Sequence, residues 1–147
     1  MKKILLIGLI FCSTGIWASP DQVNIKIAND SGKDCLLEKQ TILYGHVSDY
    51  TSIPDAIYHD QSIKFSLRSE PYRLGFHKDK WIVLTYACGN QSITLFTRIE
   101  QFQGMYFSHS KVFDVEHDLH ATFKETRNNS GRAYDQSPIE IQWTLTQ

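Results

Sequence analysis

Two stretches of this chain carry side chains whose types and spacing suit chemistry. The first is Asp114-Val115-Glu116-His117-Asp118-Leu119-His120, which places Asp114, Glu116, Asp118 and His120 at every second position. Carboxylate oxygens suit Ca²⁺, and a carboxylate beside an imidazole suits Zn²⁺. On a strand, residues two apart lie roughly 6.5 to 7 Å from each other, so neighbours share a cation only where the strand bends or a loop adds ligands. A solvated acidic face that blunts a sheet edge is the simpler account of the same pattern. In that strand Phe113, Val115, Leu119, Ala121 and Phe123 face inward, which puts His117 on the apolar side and marks a break near His117-Asp118.

The second stretch runs from Arg68 to Trp81. Tyr72, Phe76, His77 and Trp81 are interleaved there with Arg68, Arg73, Lys78 and Lys80, against only Glu70 and Asp79. Ring bodies with polar tips beside cations suit a membrane interface or an anionic glycan, since rings stack or insert while Arg and Lys meet phosphate or sulfate. The plainer alternative is a hairpin connection whose aromatics fold back onto the core. A third group, Phe102, Met105, Tyr106 and Phe107 around Gly104, reads as a short strand rather than an apolar loop tip. Motifs of catalysis are absent: there is no Gly-x-Ser-x-Gly elbow, His-Glu-x-x-His helix or phosphate-binding glycine loop. The expectation is a protein that binds a glycan, lipid or protein surface, with no catalytic residues and no cofactor beyond a Ca²⁺ or Zn²⁺ at the acidic strand. A hydrolase or hydrolase inhibitor stands as the alternative.

The elements that must position these groups are strands. Period-two alternation recurs, and no segment longer than about ten residues keeps the helical i, i+3, i+4 apolar spacing. Ile139, Ile141, Trp143 and Leu145 alternate with Glu140, Gln142, Thr144 and Thr146; Val23, Ile25 and Ile27 repeat the pattern, as do Ile63, Phe65 and Leu67. Trp81 to Cys88 is apolar on both faces and reads as a central strand covered on both sides. Gly89-Asn90 then turns the chain into Ser92–Ile99, a hairpin. Further strands fall at about 36–44, 105–108 and 112–124, punctuated by Asn29-Asp30-Ser31-Gly32 and Asn128-Asn129-Ser130-Gly131. Seven to nine short strands predict an all-β, single-domain antiparallel β-sandwich, with a partly open barrel as the alternative.

Lys2 and Lys3 precede an apolar run from Ile4 to Trp17 that stops at Ala18-Ser19-Pro20, the three-part order of a secretory signal peptide. Cleavage after Ala18 leaves 19–147 as one domain, exported to a periplasm or secreted, with type II secretion one route out. Phe11 before Cys12 does not fit a lipoprotein signal. The leader takes two lysines, so the remainder holds thirteen basic against sixteen acidic residues, formally −3, and nucleic acid is not an expected partner. Cys35 and Cys88 remain as an even pair in a chain bound for an oxidising compartment, and a disulfide between them is predicted. No feature demands a second copy, so a monomer is expected.

The order Ile27-Ala28-Asn29-Asp30-Ser31-Gly32, Gly45, Ile53-Pro54, Ser62-Ile63-Lys64-Phe65, Gly75 and Leu84-Thr85-Tyr86 resembles the layout of actinoporin-like and aegerolysin-type β-sandwiches over the first half of the chain after the leader. The resemblance implies a small exported sandwich that binds membrane lipid. The actinoporin pattern also has an amphipathic N-terminal helix that opens the pore. Strand-like Val23 to Ile27 stands in its place here, which argues against pore formation by that route. Together these readings predict a secreted bacterial binding protein, an effector or lectin/adhesin-like module, with membrane-lipid binding as the first alternative.

Overall fold

The computed structural model describes residues 22–69, 79–102, 105–113, 118–127 and 138–147. Ten strands are seen among them: β1 (Gln22–Asp30), β2 (Cys35–Tyr44), β3 (His46–Val47), β4 (Ala56–Ile57), β5 (Gln61–Arg68), β6 (Lys80–Cys88), β7 (Gln91–Phe102), β8 (Met105–Phe113), β9 (His120–Arg127) and β10 (Pro138–Thr146). They form two five-stranded sheets, A in the order β3-β5-β1-β10-β9 and B in the order β4-β2-β6-β7-β8. The chain is an all-β sandwich, with no helix among the described residues. The pairs are antiparallel apart from β1 and β10, which run parallel with Ile25 opposite Ile141 and Ile27 opposite Trp143.

Alternation dictates which faces meet. Val23, Ile25 and Ile27 of β1, Phe65 and Leu67 of β5, and Ile141, Trp143 and Leu145 of β10 are buried, and they face Ile82, Leu84 and Tyr86 of β6 and Ile93, Leu95 and Ile99 of β7. Every second residue points outward and away from that layer. Two polar links cross the core. The Trp143 indole N–H donates to Thr97 Oγ1 at 3.1 Å, so the largest buried ring keeps its polar atom satisfied. Asn29, fully buried, donates to the Ile57 and Lys33 carbonyls at 2.8 and 2.7 Å and ties the end of β1 to β4 of the other sheet. Cys35 lies directly opposite Cys88 on β2 and β6, and the two form the predicted disulfide with both residues fully buried.

Three backbone features set the outline. Gly89, at φ +69°, makes the two-residue turn between Cys88 and Gln91, the hairpin read from the sequence. Gly45, at φ +79°, is the corner where the chain leaves sheet B at β2 and enters sheet A at β3. A Cβ there would stand 2.4 Å from the Arg68 carbonyl oxygen, so only glycine fits. In β2 the register shifts between Leu37 and Lys39 and between Ile42 and Tyr44. The second shift leaves Leu43 as the extra, exposed residue and turns Tyr44 to the outer face opposite Trp81.

Several expectations change. The strand expected over 112–124 is two elements: β8 ends at Phe113, Asp118 lies in a turn, and β9 starts at His120. The break foreseen near Asp118 is therefore present. Phe113 faces out and is exposed, because Val112 takes the inward place opposite Leu95; Leu119 and Ala121 do face inward, and Phe123 packs at the edge of Trp143 with ring centroids 5.2 Å apart. The two-residue strands β3 and β4 raise the count above the expected seven to nine. The leader at 1–18 lies outside the described residues.

Candidate functional site

The acidic stretch does not assemble a site among the described residues. Asp118 is exposed in its turn, and His120 opens β9 opposite Thr146 on the outer face of sheet A. Asp114 and Glu116 lie outside the described residues, and no group of three or more His, Cys, Asp or Glu able to hold a metal occurs among those described.

The basic and aromatic stretch is divided between the sheets. Arg68 ends β5 and faces out from sheet A, where its Nε donates to Gln22 Oε1 at 3.4 Å. Trp81 starts β6 and faces out from sheet B. Lys80, counted among the cations of this stretch, is 1% exposed and points into the sandwich, so it is withdrawn from any surface role. Tyr72, Arg73, Phe76, His77 and Lys78 lie outside the described residues. The two described ends of the segment thus stand on opposite outer faces.

Trp81 belongs instead to a surface that the sequence does not display as a contiguous motif. The outward side chains of β2, β6, β7 and β8 form rungs across sheet B: Tyr44–Trp81–Arg98–His109, then Thr41–Val83–Phe96–Lys111, then Thr85–Thr94–Phe113, with Glu100–Phe107 beyond the first. Tyr44 packs edge-on to Trp81 with centroids 4.9 Å apart, and Phe96 packs edge-on to Phe113 at 5.9 Å. Arg98 lies over the Trp81 ring, its guanidinium carbon 3.9 Å from the centroid, a cation–π contact. Glu100 holds Arg98 from two residues on, as an ion pair on the same face. Thr85 and Thr94 share a hydrogen bond of 3.0 Å beside the rings.

Tyr44 is 51% exposed, Phe107 45% and Phe113 46%, with Leu43 exposed at the β2 bulge. The face is therefore an open aromatic platform edged by the Lys111 cation and the His109 imidazole, neither of which makes an ion pair among the described residues. The Trp81 indole N–H and Arg98 Nε have no hydrogen-bond partner among the described residues. Rings held by their neighbours offer planar area at little entropic cost, and the guanidinium is pre-oriented by its stacking and its ion pair. Such a surface can stack on sugars or dip into a lipid interface.

Sequence reasoning missed Tyr44, Phe96, Arg98 and Phe113 because they come from three strands, β2, β7 and β8, separated in the chain. One signal pointed here: Trp81 to Cys88 is apolar on both sides. That strand is covered by the core on its Ile82, Leu84 and Tyr86 side, whereas its Trp81, Val83, Thr85 and Ala87 side is only half-buried. The inner face also carries the Tyr86 hydroxyl, which has no hydrogen-bond partner among the described residues and whose pKa is driven upward by burial.

No family model matches the chain, and no curated protein sequence matches it. Among solved structures, the crystal structure of the lipid-binding protein Nakanori is similar, with a TM-score of 0.59 over 85% of this chain and 69% of that chain at 11% sequence identity. At that identity the likeness is one of fold.

Proposed function

We propose that this chain is an exported binding protein without catalytic chemistry of its own, and that it recognises a membrane surface through the outer face of sheet B. The observation that carries the reading is the open platform of Tyr44, Phe107 and Phe113 around the Trp81–Arg98 pair, edged by Lys111 and His109. Aromatic rings partition into the interfacial layer of a bilayer, and flanking cations meet lipid phosphate. If each of the three half-exposed rings has about 100 Å² left to bury, the apolar gain is roughly 7 kcal/mol before the costs of association, enough for weak, reversible attachment. The shared fold with a lipid-binding protein supports the same choice over a soluble ligand.

The test is flotation of the oxidised protein with phosphatidylcholine vesicles, with and without phosphatidylserine, at low and moderate salt. Wild type floats, and Tyr44→Ser/Phe107→Ser/Phe113→Ser stays at the bottom while keeping the wild-type circular dichroism. A wild type that never floats refutes the membrane reading. Release of the protein by neutral oligosaccharides would move the platform to sugar stacking and so to the lectin-like alternative.

A further inference from the structure

The opposite side of the sandwich is built from different material. The outward positions of β5, β1, β10 and β9 hold Ser62, Lys64, Ser66 and Arg68; Gln22, Asn24, Lys26, Ala28 and Asp30; Glu140, Gln142, Thr144 and Thr146; and His120, Thr122, Lys124 and Thr126. Ala28 is the one apolar residue among them. Four cations face two carboxylates on a chain whose formal net charge is −1, so positive charge is concentrated on this face.

The cations are aligned. The register sets Lys64 opposite Lys26, Lys26 beside Gln142 and Gln142 opposite Lys124, which makes one rung across four strands. Adjacent strands are roughly 4.8 Å apart, so the rung spans about 14 Å. Like charges directly opposite each other on antiparallel strands destabilise a sheet. Lys64 is relieved by Glu140, at 2.7 Å. Lys26 and Lys124 have no ion pair among the described residues, and no acid flanks Lys26 on either neighbouring strand of its rung. A sheet that keeps this arrangement sets a local stability rule aside, and such exceptions concentrate where a surface has a task.

We propose that the outer face of sheet A is a second binding site, and that its ligand is an anionic glycan bearing sulfate or carboxylate groups. The Lys64–Lys26–Gln142–Lys124 rung meets the anions. The amide and hydroxyl side chains on either side, Thr122, Thr126 and Thr144 with Gln142, supply directional hydrogen bonds to sugar hydroxyls. With Ala28 as its one outward apolar residue, this face disfavours a bilayer, since it offers no large side chain to insert. The site does not depend on the membrane reading of sheet B, and the two together make a protein that bridges a lipid surface and a polyanion.

Heparin is the probe. Wild type binds immobilised heparin, and Lys26→Gln/Lys124→Gln binds it about thirtyfold more weakly, on the scale of two surface lysines facing an anionic array. The slope of log affinity against log salt falls by about one per lysine removed. Lys33→Gln/Lys39→Gln, which removes equal charge elsewhere, leaves heparin affinity near that of wild type. The Lys26→Gln/Lys124→Gln protein melts no lower than wild type, because a like-charge contact is relieved. The sheet B triple variant loses vesicles and keeps heparin, so each reading fails by itself. Three results would overturn the proposal: no heparin binding by wild type at moderate salt, equal losses in both lysine pairs, or a loss confined to phosphatidylserine vesicles.

Discussion

Replacing both cysteines, as Cys35→Ala/Cys88→Ala, should cost this domain about 4 kcal/mol of a stability margin of roughly 5 to 15 kcal/mol. The bridge joins residues 53 positions apart. In the chain-entropy account, opening a loop of that length returns about 14 cal/mol/K to the unfolded chain, or about 4 kcal/mol at 25 °C. The stretch from Gln22 to Gln147 has an unfolding entropy of roughly 0.26 kcal/mol/K near its midpoint, so the expected fall in melting temperature is about 15 °C. The loss falls in the middle of the fold, since Cys35 and Cys88 are opposite one another on β2 and β6 and neither reaches solvent. The assay is thermal unfolding followed by far-ultraviolet circular dichroism, with native wild type and the double variant at matched concentration. A fall under about 5 °C with the folded spectrum unchanged would refute the argument that loop closure is what this bridge contributes. Reduction of folded wild type should be slow for the same reason: a reductant reaches the sulfurs only when the sandwich opens.

Two smaller perturbations test the outline of the fold. Gly45→Ala should cost on the order of 2 to 4 kcal/mol, through a left-handed backbone and a Cβ 2.4 Å from the Arg68 carbonyl oxygen, whereas Gly32→Ala, at φ +73° with open space around it, should cost only about 1 to 2; urea titration of both separates the clash from the strain. Asp34 accepts from the His59 backbone N–H at 3.0 Å and contacts its ring at 3.1 Å, and the backbone bond foremost holds its carboxyl below the ordinary 3.8. Because the folded-state value is the lower one, its contribution is present above pH 3.8 and is lost as pH falls through the folded value. Asp34→Asn should therefore melt below wild type at pH 6 and converge with it as the pH falls through the lowered folded value; a gap that stays constant on acidification counts against the bond.

The architecture was legible where one face of a strand is buried. In β1, β5, β6 and β10 the inward residues are apolar at every second position apart from Asn29 near the end of β1 and Lys80 at the start of β6, so the alternation reports burial directly. It fails in β2, where the shifts after Leu37 and Ile42 reset the period and carry Tyr44 to the outer face. It fails for β3 and β4, which are too short to hold a period. The candidate site was harder to read than the fold because a sheet face gathers one residue from each of several strands. Tyr44, Trp81, Arg98 and His109 share a rung yet span 66 residues of chain. Contiguous basic and aromatic residues single out 68–81, yet the described ends of that stretch diverge to opposite faces. The second apolar side of Trp81 to Cys88 held the right clue, but the sequence alone does not distinguish a covered strand face from one left open for a ligand.

The parallel pairing of β1 and β10 has a mechanical meaning. Antiparallel neighbours joined at the ends of a chain separate bond by bond when those ends are pulled, like a zip. Here Asn24 to Asp30 run alongside Glu140 to Thr146 in the same direction. Tension applied before β1 and after β10 pulls the two strands past each other and loads the whole row of bonds between them at once. A protein that grips a surface while something tugs on its ends would meet that force in shear, the direction in which a sheet yields last.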